Sequence, residues 1–96
     1  MEIVNPGIEA YCMRYSTSPS ADCQAVYDYT TAHFEDAQML IGPWEAGFLG
    51  LLINIADARQ ILEIGCYTGY SALAMAEQIP DAGRVHTIDR DTEKAA

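Results

Sequence analysis

The run Ile61-Leu-Glu-Ile-Gly-Cys-Tyr-Thr-Gly-Tyr-Ser71, followed by Arg84-Val-His-Thr-Ile-Asp89, constrains this chain more than any other feature. Past Gln60 the first run is apolar apart from Glu63, as a strand covered on both faces requires. Gly65 and Gly69 then punctuate it, and Ser71-Ala-Leu-Ala-Met-Ala76 offers a small, tightly packing helix face. The pattern predicts a strand over Gln60 to Gly65, a crossover helix over Gly69 to Ile79, and a second strand over Arg84 to Asp89. Pro80-Asp-Ala-Gly83 ends the helix and turns the chain. Two apolar runs joined by a crossover of helical length pair in parallel. The chain is therefore expected to be α/β.

A strand, a glycine turn, a helix and a strand-terminal acid make half of a nucleoside site. The glycines stand as G-x-x-x-G, not as the G-x-G-x-x-G of a dinucleotide fold. With Glu63 ahead of the first glycine, this variant points to S-adenosylmethionine. Gly65 lets the backbone approach a ligand with no Cβ in the way, and Cys66 is expected to offer its backbone N–H. The helix opening at Gly69 exposes free N–H groups that favour a carboxylate, and Ser71 can hydrogen-bond it. The two glycines also suit a tight turn with no ligand. Glu63, inside an apolar strand, is costly unless paired. Its partner is either a ligand ammonium or Arg59 or Arg84. Asp89 can accept hydrogen bonds from two ribose hydroxyls, or cap the next helix, a role for which Asp91 is equally well placed.

Upstream the chain reads as helical. A short helix is expected around Ile8 to Tyr15. Ser18 and Pro19 suit an N-cap and first helical position, with a helix over Ala21 to Phe34 whose Cys23, Val26, Tyr29 and His33 share a face. Met39 to Pro43 is a connector. Trp44 to Ala56 follows as a stronger helix, with Trp44, Phe48, Leu51, Leu52 and Ile55 along one apolar face. Gly47 and Gly50 are poor helix formers and imply close packing or a backbone approach to another group. Tyr27, Tyr29, Phe34, Trp44 and Phe48 read as core. His33 and His86 stand alone and read as structural or solvated.

Composition narrows the classes. The 96 residues carry a formal charge of -9 with no Lys/Arg cluster, which argues against nucleic acid. Three Cys, an odd number without metal-ligand spacing, read as reduced thiols. No apolar run is read as a membrane span and no signal peptide opens the chain, so a cytoplasmic location is expected. Two parallel strands leave unpaired edges on both sides. The last residues, Asp91 to Ala96, read as the first turn of a further helix. The expected organisation is the N-terminal part of one domain, with leading helices over 1–57, the start of a βαβ unit over 58–96 and the C-terminal half absent.

Leu62 to Ala76, followed by Ile79-Pro-Asp-Ala-Gly-Arg-Val-His-Thr-Ile-Asp89, resembles the caffeoyl-CoA O-methyltransferase type of small-molecule methyltransferases. Gln38-Met-Leu-Ile-Gly-Pro-Trp-Glu-Ala-Gly-Phe-Leu49 is similar to that family's entry to its cofactor helix. The resemblance implies the N-terminal portion of a Rossmann-like class I methyltransferase fold. It implies that Glu63 binds the methionine end of S-adenosylmethionine, that Gly65 and Cys66 give backbone contacts, that Ser71 holds the carboxylate side, that Asp89 grips the ribose, and that Met39 lines the pocket. Ile41 departs from the Thr of many plant members, and Ala46-Gly47 from the usual Gly-Gln pair. The family binds a divalent metal, Mg, Ca or Mn, through residues on later strands, a Lewis-acid role. That metal is expected only in a full-length protein, so no catalytic or metal residue is assigned here. The implied substrate is a small hydroxylated molecule, phenolic, catechol or acyl-CoA, and the implied assembly a homodimer when full length. The alternatives are a non-catalytic binding or dimerisation fragment, a tRNA-modifying methyltransferase of the same family, and a nicotinamide-dependent dehydrogenase. The G-x-x-x-G turn and Glu63 count against the dehydrogenase.

Overall fold

The computed structural model describes residues 3–96. Helix α1 (Pro6–Tyr15) and helix α2 (Ala21–His33) lead into a single 3-10 turn (Ala37–Met39) and helix α3 (Gly42–Ala56). Strand β1 (Gln60–Ile64), helix α4 (Tyr70–Ala76) and strand β2 (Arg84–Ile88) complete the described elements. The strands are parallel, with Gln60 opposite Arg84 and Ile64 opposite Ile88. Backbone bonds from Arg84 to Arg59 (2.8 Å) and from Gly65 to Ile88 (2.7 Å) extend the ladder past both ends of β1. The expected strand-helix-strand unit is therefore present. Its helix is shorter than expected, because the chain leaves helical conformation before Ile79, whose α conformation the following Pro80 disfavours.

The core sits between α2, α3 and α4. Cys23, Tyr70 and Ala74 are buried together, with Val26, Leu40, Ile41, Ala46 and Leu73 packed against them. Three expectations about buried faces are corrected. On α2 the buried positions are Cys23 and Thr30, while Tyr29 and His33 stack on each other at the surface. Thr30 wins because its hydroxyl is satisfied: it lies 2.7 Å from the Val26 carbonyl and 2.7 Å from the Thr68 hydroxyl. On α3 the buried residues are Gly42, Gly50 and Ile53, and Phe48, Leu51, Leu52 and Ile55 face outward, Ile55 at 73% exposure. This helix is apolar nearly all round, so apolarity alone could not choose a side. Small residues chose it: the Gln78 side chain lies where a Gly50 side chain would begin. Of the aromatic residues expected in the core, Tyr27, Tyr29 and Phe48 are exposed, and Tyr70 is the fully buried ring. The N-cap of α2 is Ser20, not Ser18. Its hydroxyl accepts from the Cys23 N–H (3.1 Å) and donates to the Glu77 carboxylate (2.7 Å), so it ties α2 to the end of α4.

One sheet face packs under α4. The other carries Leu62, Ile64 and Ile88, all exposed, Ile64 at 83%. By length and composition alone Ala37–Ala56 is long and apolar enough to cross a membrane, with mean hydropathy 1.5, against the sequence expectation. The stretch is not one helix: Leu40 is extended and Gly42 has φ +79°.

Gly83 closes the turn into β2. A Cβ there would stand 2.8 Å from the Arg59 carbonyl oxygen and 3.0 Å from that of Pro80, both backbone atoms that cannot swing away. Gly83→Ala is expected to destabilise the fold by about 1–3 kcal/mol, the scale of overpacking. A urea midpoint equal to that of the unaltered protein would show that the β1–β2 junction is looser than the geometry implies.

Candidate functional site

The site builds from the turn after β1. Gly65 (φ +96°) and Gly69 (φ +90°) take left-handed conformations that glycine adopts without strain. Gly69 closes the turn by donating its N–H to the Cys66 carbonyl (2.9 Å) and then caps α4. Tyr67, between them, is also left-handed (φ +53°). For a residue with a side chain this costs about 1–2 kcal/mol and persists only where the surroundings fix it.

Asp89, at the end of β2, supplies part of that fixing. Its Oδ2 accepts the N–H of Cys66 (2.8 Å) and of Tyr67 (2.7 Å), and its Oδ1 accepts that of Asp91 (2.8 Å). The Asp91 N–H, then that of Tyr67 and that of Cys66, hold this carboxyl below the usual carboxylate range. The Cys66 N–H expected to face a ligand is therefore engaged within the chain. A carboxylate has about four acceptor positions. Three are used, so Asp89 has room for at most one ribose hydroxyl, at Oδ1, where sequence reasoning had allowed two.

Glu63 is half-buried on the α4 side of the sheet. The Ser71 hydroxyl donates to its Oε2, and the Thr87 hydroxyl donates to its Oε1 (2.8 Å). Neither arginine proposed as its partner is used. Arg59 lies 3.9 Å from Asp57, and Arg84 donates to the Gly83 carbonyl (2.8 Å). Among the described residues these two hydroxyls are the side-chain partners of Glu63 and no cation pairs with it, and each oxygen keeps a free lone pair. Ser71 spends its proton on Glu63, so toward a ligand carboxylate it has only acceptor lone pairs to offer.

Met39, Leu40 and Ile41 face this turn from the other side. With Gly65, Cys66, Tyr67, Tyr70 and Ser71 they line a crevice of about 70 Å³. Four of the seven expected site residues, Met39, Gly65, Cys66 and Ser71, thus share one cleft. Gly69 shapes the turn beside it, Asp89 braces the turn from the strand end, and Glu63 holds Ser71. A Cβ built on Gly65 meets nothing within 4 Å, so a side chain there would project into open space.

Sequence reasoning gave no role to Tyr67, Asp36 or Lys94. The Tyr67 phenol donates to Asp36 Oδ1 (2.6 Å), and Lys94 Nζ donates to Asp36 Oδ2 (2.6 Å). The Lys94 bond first, then the Tyr67 bond, hold the Asp36 carboxyl low. Burial first, then Asp36, push the Tyr67 phenol up. Among the described residues no group of three or more His, Cys, Asp or Glu could share a metal ion.

Acid should loosen this site. Asp36 and Asp89 both titrate lower when folded than the ordinary 3.8. Groups of that kind contribute stability that is complete above the unfolded pKa and lost as pH falls through the folded one. The urea midpoint is expected to hold from neutral pH down to about 4 and to fall below it. A midpoint unchanged below that range would mean that neither carboxylate is fixed as described.

A model of the O-methyltransferase family matches residues 15–96. Tricin synthase 1 of Oryza sativa subsp. japonica is 47% identical over 49 residues, covering 51% of this chain and 19% of its own length. A probable caffeoyl-CoA O-methyltransferase of Dictyostelium discoideum is 37% identical over 70 residues, 70% of this chain and 28% of its own. The chain thus spans between 19% and 28% of these two curated relatives. Among solved structures, an O-methyltransferase from Bacillus cereus in complex with SAH superposes with TM-score 0.76 at 28% identity, over 93% of this chain and 40% of that one. An SAH-bound methyltransferase of Podospora anserina superposes over 98% of this chain and 44% of its own, with TM-score 0.83 at 24% identity, and shares the fold.

Proposed function

The chain belongs to the O-methyltransferase family, and from that premise we propose that it forms the cofactor-binding end of an S-adenosylmethionine-dependent O-methyltransferase. The observation that carries this reading is the crevice in which the open face of Gly65 meets Met39, Cys66 and Ser71, with Asp89 bracing the turn at the strand end. The SAH of the Bacillus cereus relative supports the choice of ligand. When bound, S-adenosylmethionine supplies a methyl group on a sulfonium centre, the electrophile of the transfer.

The residues present would bind and orient it. Gly65 would admit the ligand's atoms to the backbone, and Met39 would pack against it from the opposite wall. Glu63, which pairs with no cation among the described residues, would attract the ammonium of the methionine end, with Ser71 between them. Asp89 would take one ribose hydroxyl. The acceptor we propose is the hydroxyl of a small phenolic, catechol or acyl-CoA molecule. The name of the Dictyostelium discoideum relative, a probable caffeoyl-CoA O-methyltransferase, supports that class. The divalent metal implied by the resemblance has no assigned ligand among these residues, and a homodimer and a cytoplasmic location remain part of the proposal.

Calorimetric titration of the protein with S-adenosylmethionine, and separately with a reduced nicotinamide dinucleotide, tests the reading. Binding of the first alone is expected. Binding of the dinucleotide alone would replace this proposal with the dehydrogenase alternative.

A further inference from the structure

The two walls of the crevice come from distant parts of the chain. One is the turn from Gly65 to Tyr67; the other runs from Met39 to Ile41. Asp36 stands just ahead of the 3-10 turn that leads into the second wall. Its carboxylate reaches the first wall, where Oδ1 accepts the Tyr67 phenol at 2.6 Å. Its other oxygen accepts Lys94 Nζ at 2.6 Å. Lys94 also lies 5.3 Å from the centre of the Tyr67 ring and 5.6 Å from that of Phe34, close enough for cation–π attraction. Asp91 fixes the segment that carries Lys94, accepting the N–H groups of Glu93 and Lys94 at 3.1 Å each. A single carboxylate therefore joins the connector after α2, the glycine turn and the segment after β2.

The consequence falls on Tyr67. Its left-handed backbone aims its N–H, and that of Cys66, at Asp89. Asp89 holds the backbone of the turn but not the side chain. Asp36 holds the side chain. A strained residue stays in place when both its backbone and its side chain are fixed.

We propose that Asp36, backed by Lys94, is a positioning residue for this site. It clamps the Tyr67 phenol, keeps the Cys66 and Tyr67 amides on Asp89, and sets the separation of the two crevice walls. It acts through Tyr67 and touches no reacting atom. The identity of the ligand rests on the methyltransferase reading; the clamp itself does not.

The experiment compares the unaltered protein with Asp36→Ala, Asp36→Asn and Lys94→Gln. Amide hydrogen exchange is read residue by residue, and S-adenosylmethionine affinity by calorimetry. Asp36→Ala is expected to speed exchange at Cys66 and Tyr67 by about tenfold, with the α2 and α3 amides changed by less than about twofold, because local opening need not follow global unfolding. Asp36→Asn keeps an acceptor for the phenol and is expected to recover part of the protection. Lys94→Gln should fall between Asp36→Ala and the unaltered protein. Affinity should fall about tenfold in Asp36→Ala, the scale of one lost charge-assisted contact. Faster exchange by one common factor along the whole chain would make Asp36 an ordinary stabilising residue and overturn the proposal. So would unchanged exchange at Cys66 and Tyr67. If the unaltered protein does not bind S-adenosylmethionine, the functional reading fails, and exchange alone decides the clamp by the same two criteria.

Discussion

Asp89→Ala is expected to weaken S-adenosylmethionine binding by about 100-fold, close to 3 kcal/mol, the upper range for hydrogen bonds to a charged group. Two losses combine. The ligand loses one acceptor at Oδ1, and the turn loses the carboxylate that gathers the N–H groups of Cys66, Tyr67 and Asp91. Without it the left-handed Tyr67 loses the acceptor that fixes its backbone N–H. Asp89→Asn separates the losses. Its amide keeps one carbonyl oxygen for the Cys66 and Tyr67 N–H groups, but the NH₂ then stands in place of Oδ1 and faces both the Asp91 N–H and the ligand. An intermediate affinity is expected. Calorimetry on variants whose circular dichroism matches that of the unaltered protein provides the check. Full affinity in a folded Asp89→Ala would remove this residue from the site.

The parallel pair was legible because the information is local. Two short apolar runs, a glycine turn and a Pro-Asp-Ala-Gly stop each speak through their own residues, and the observed strands end within one residue of the expected ones. The buried face of α3 was not legible. Gly-Pro-Trp-Glu-Ala-Gly-Phe-Leu-Gly-Leu-Leu-Ile-Asn-Ile-Ala has apolar residues in nearly every direction, so its side was decided by where the backbones of α3 and α4 could approach. Ser20 rather than Ser18 caps α2 because only the folded chain brings Glu77 beside it. Of the candidate site, the crevice residues near β1 were found through the glycine spacing. The Glu63 partners were not. The sequence offered arginines on charge alone, whereas the register sets Glu63 directly opposite Thr87, which supplies a hydroxyl. Asp36, Tyr67 and Lys94 carry no local signature at all, since 31 residues separate the first pair and 58 separate Asp36 from Lys94.

The largest effect on the fold is expected at Tyr70. It is 2% exposed, opens α4, and packs with Cys23 and Ala74 at the meeting of three helices. Its ring meets Tyr27 edge-on at 6.4 Å, a favoured geometry for aromatic pairs. Burial first, then the neighbouring Cys23, push its phenol up, as for a neutral group held in an apolar setting. Truncating a ring of this size in a core costs about 3–5 kcal/mol. A chain of this length has a total stability on the order of 5–14 kcal/mol by the usual per-residue scale, and this one starts from a small core, with few large apolar side chains buried and one sheet face uncovered. Tyr70→Ala is therefore expected to lose most of its cooperative unfolding transition. Tyr70→Phe keeps the ring and gives up only a hydroxyl that makes no hydrogen bond among the described residues. It should stay within about 1 kcal/mol of the unaltered protein, the range of volume-conserving core changes. Denaturant curves followed by near-ultraviolet circular dichroism distinguish the two. If Tyr70→Ala unfolds at nearly the same midpoint as Tyr70→Phe, the contacts between α2, α3 and α4 do not hold this chain together, and its stability must come from the strand pair.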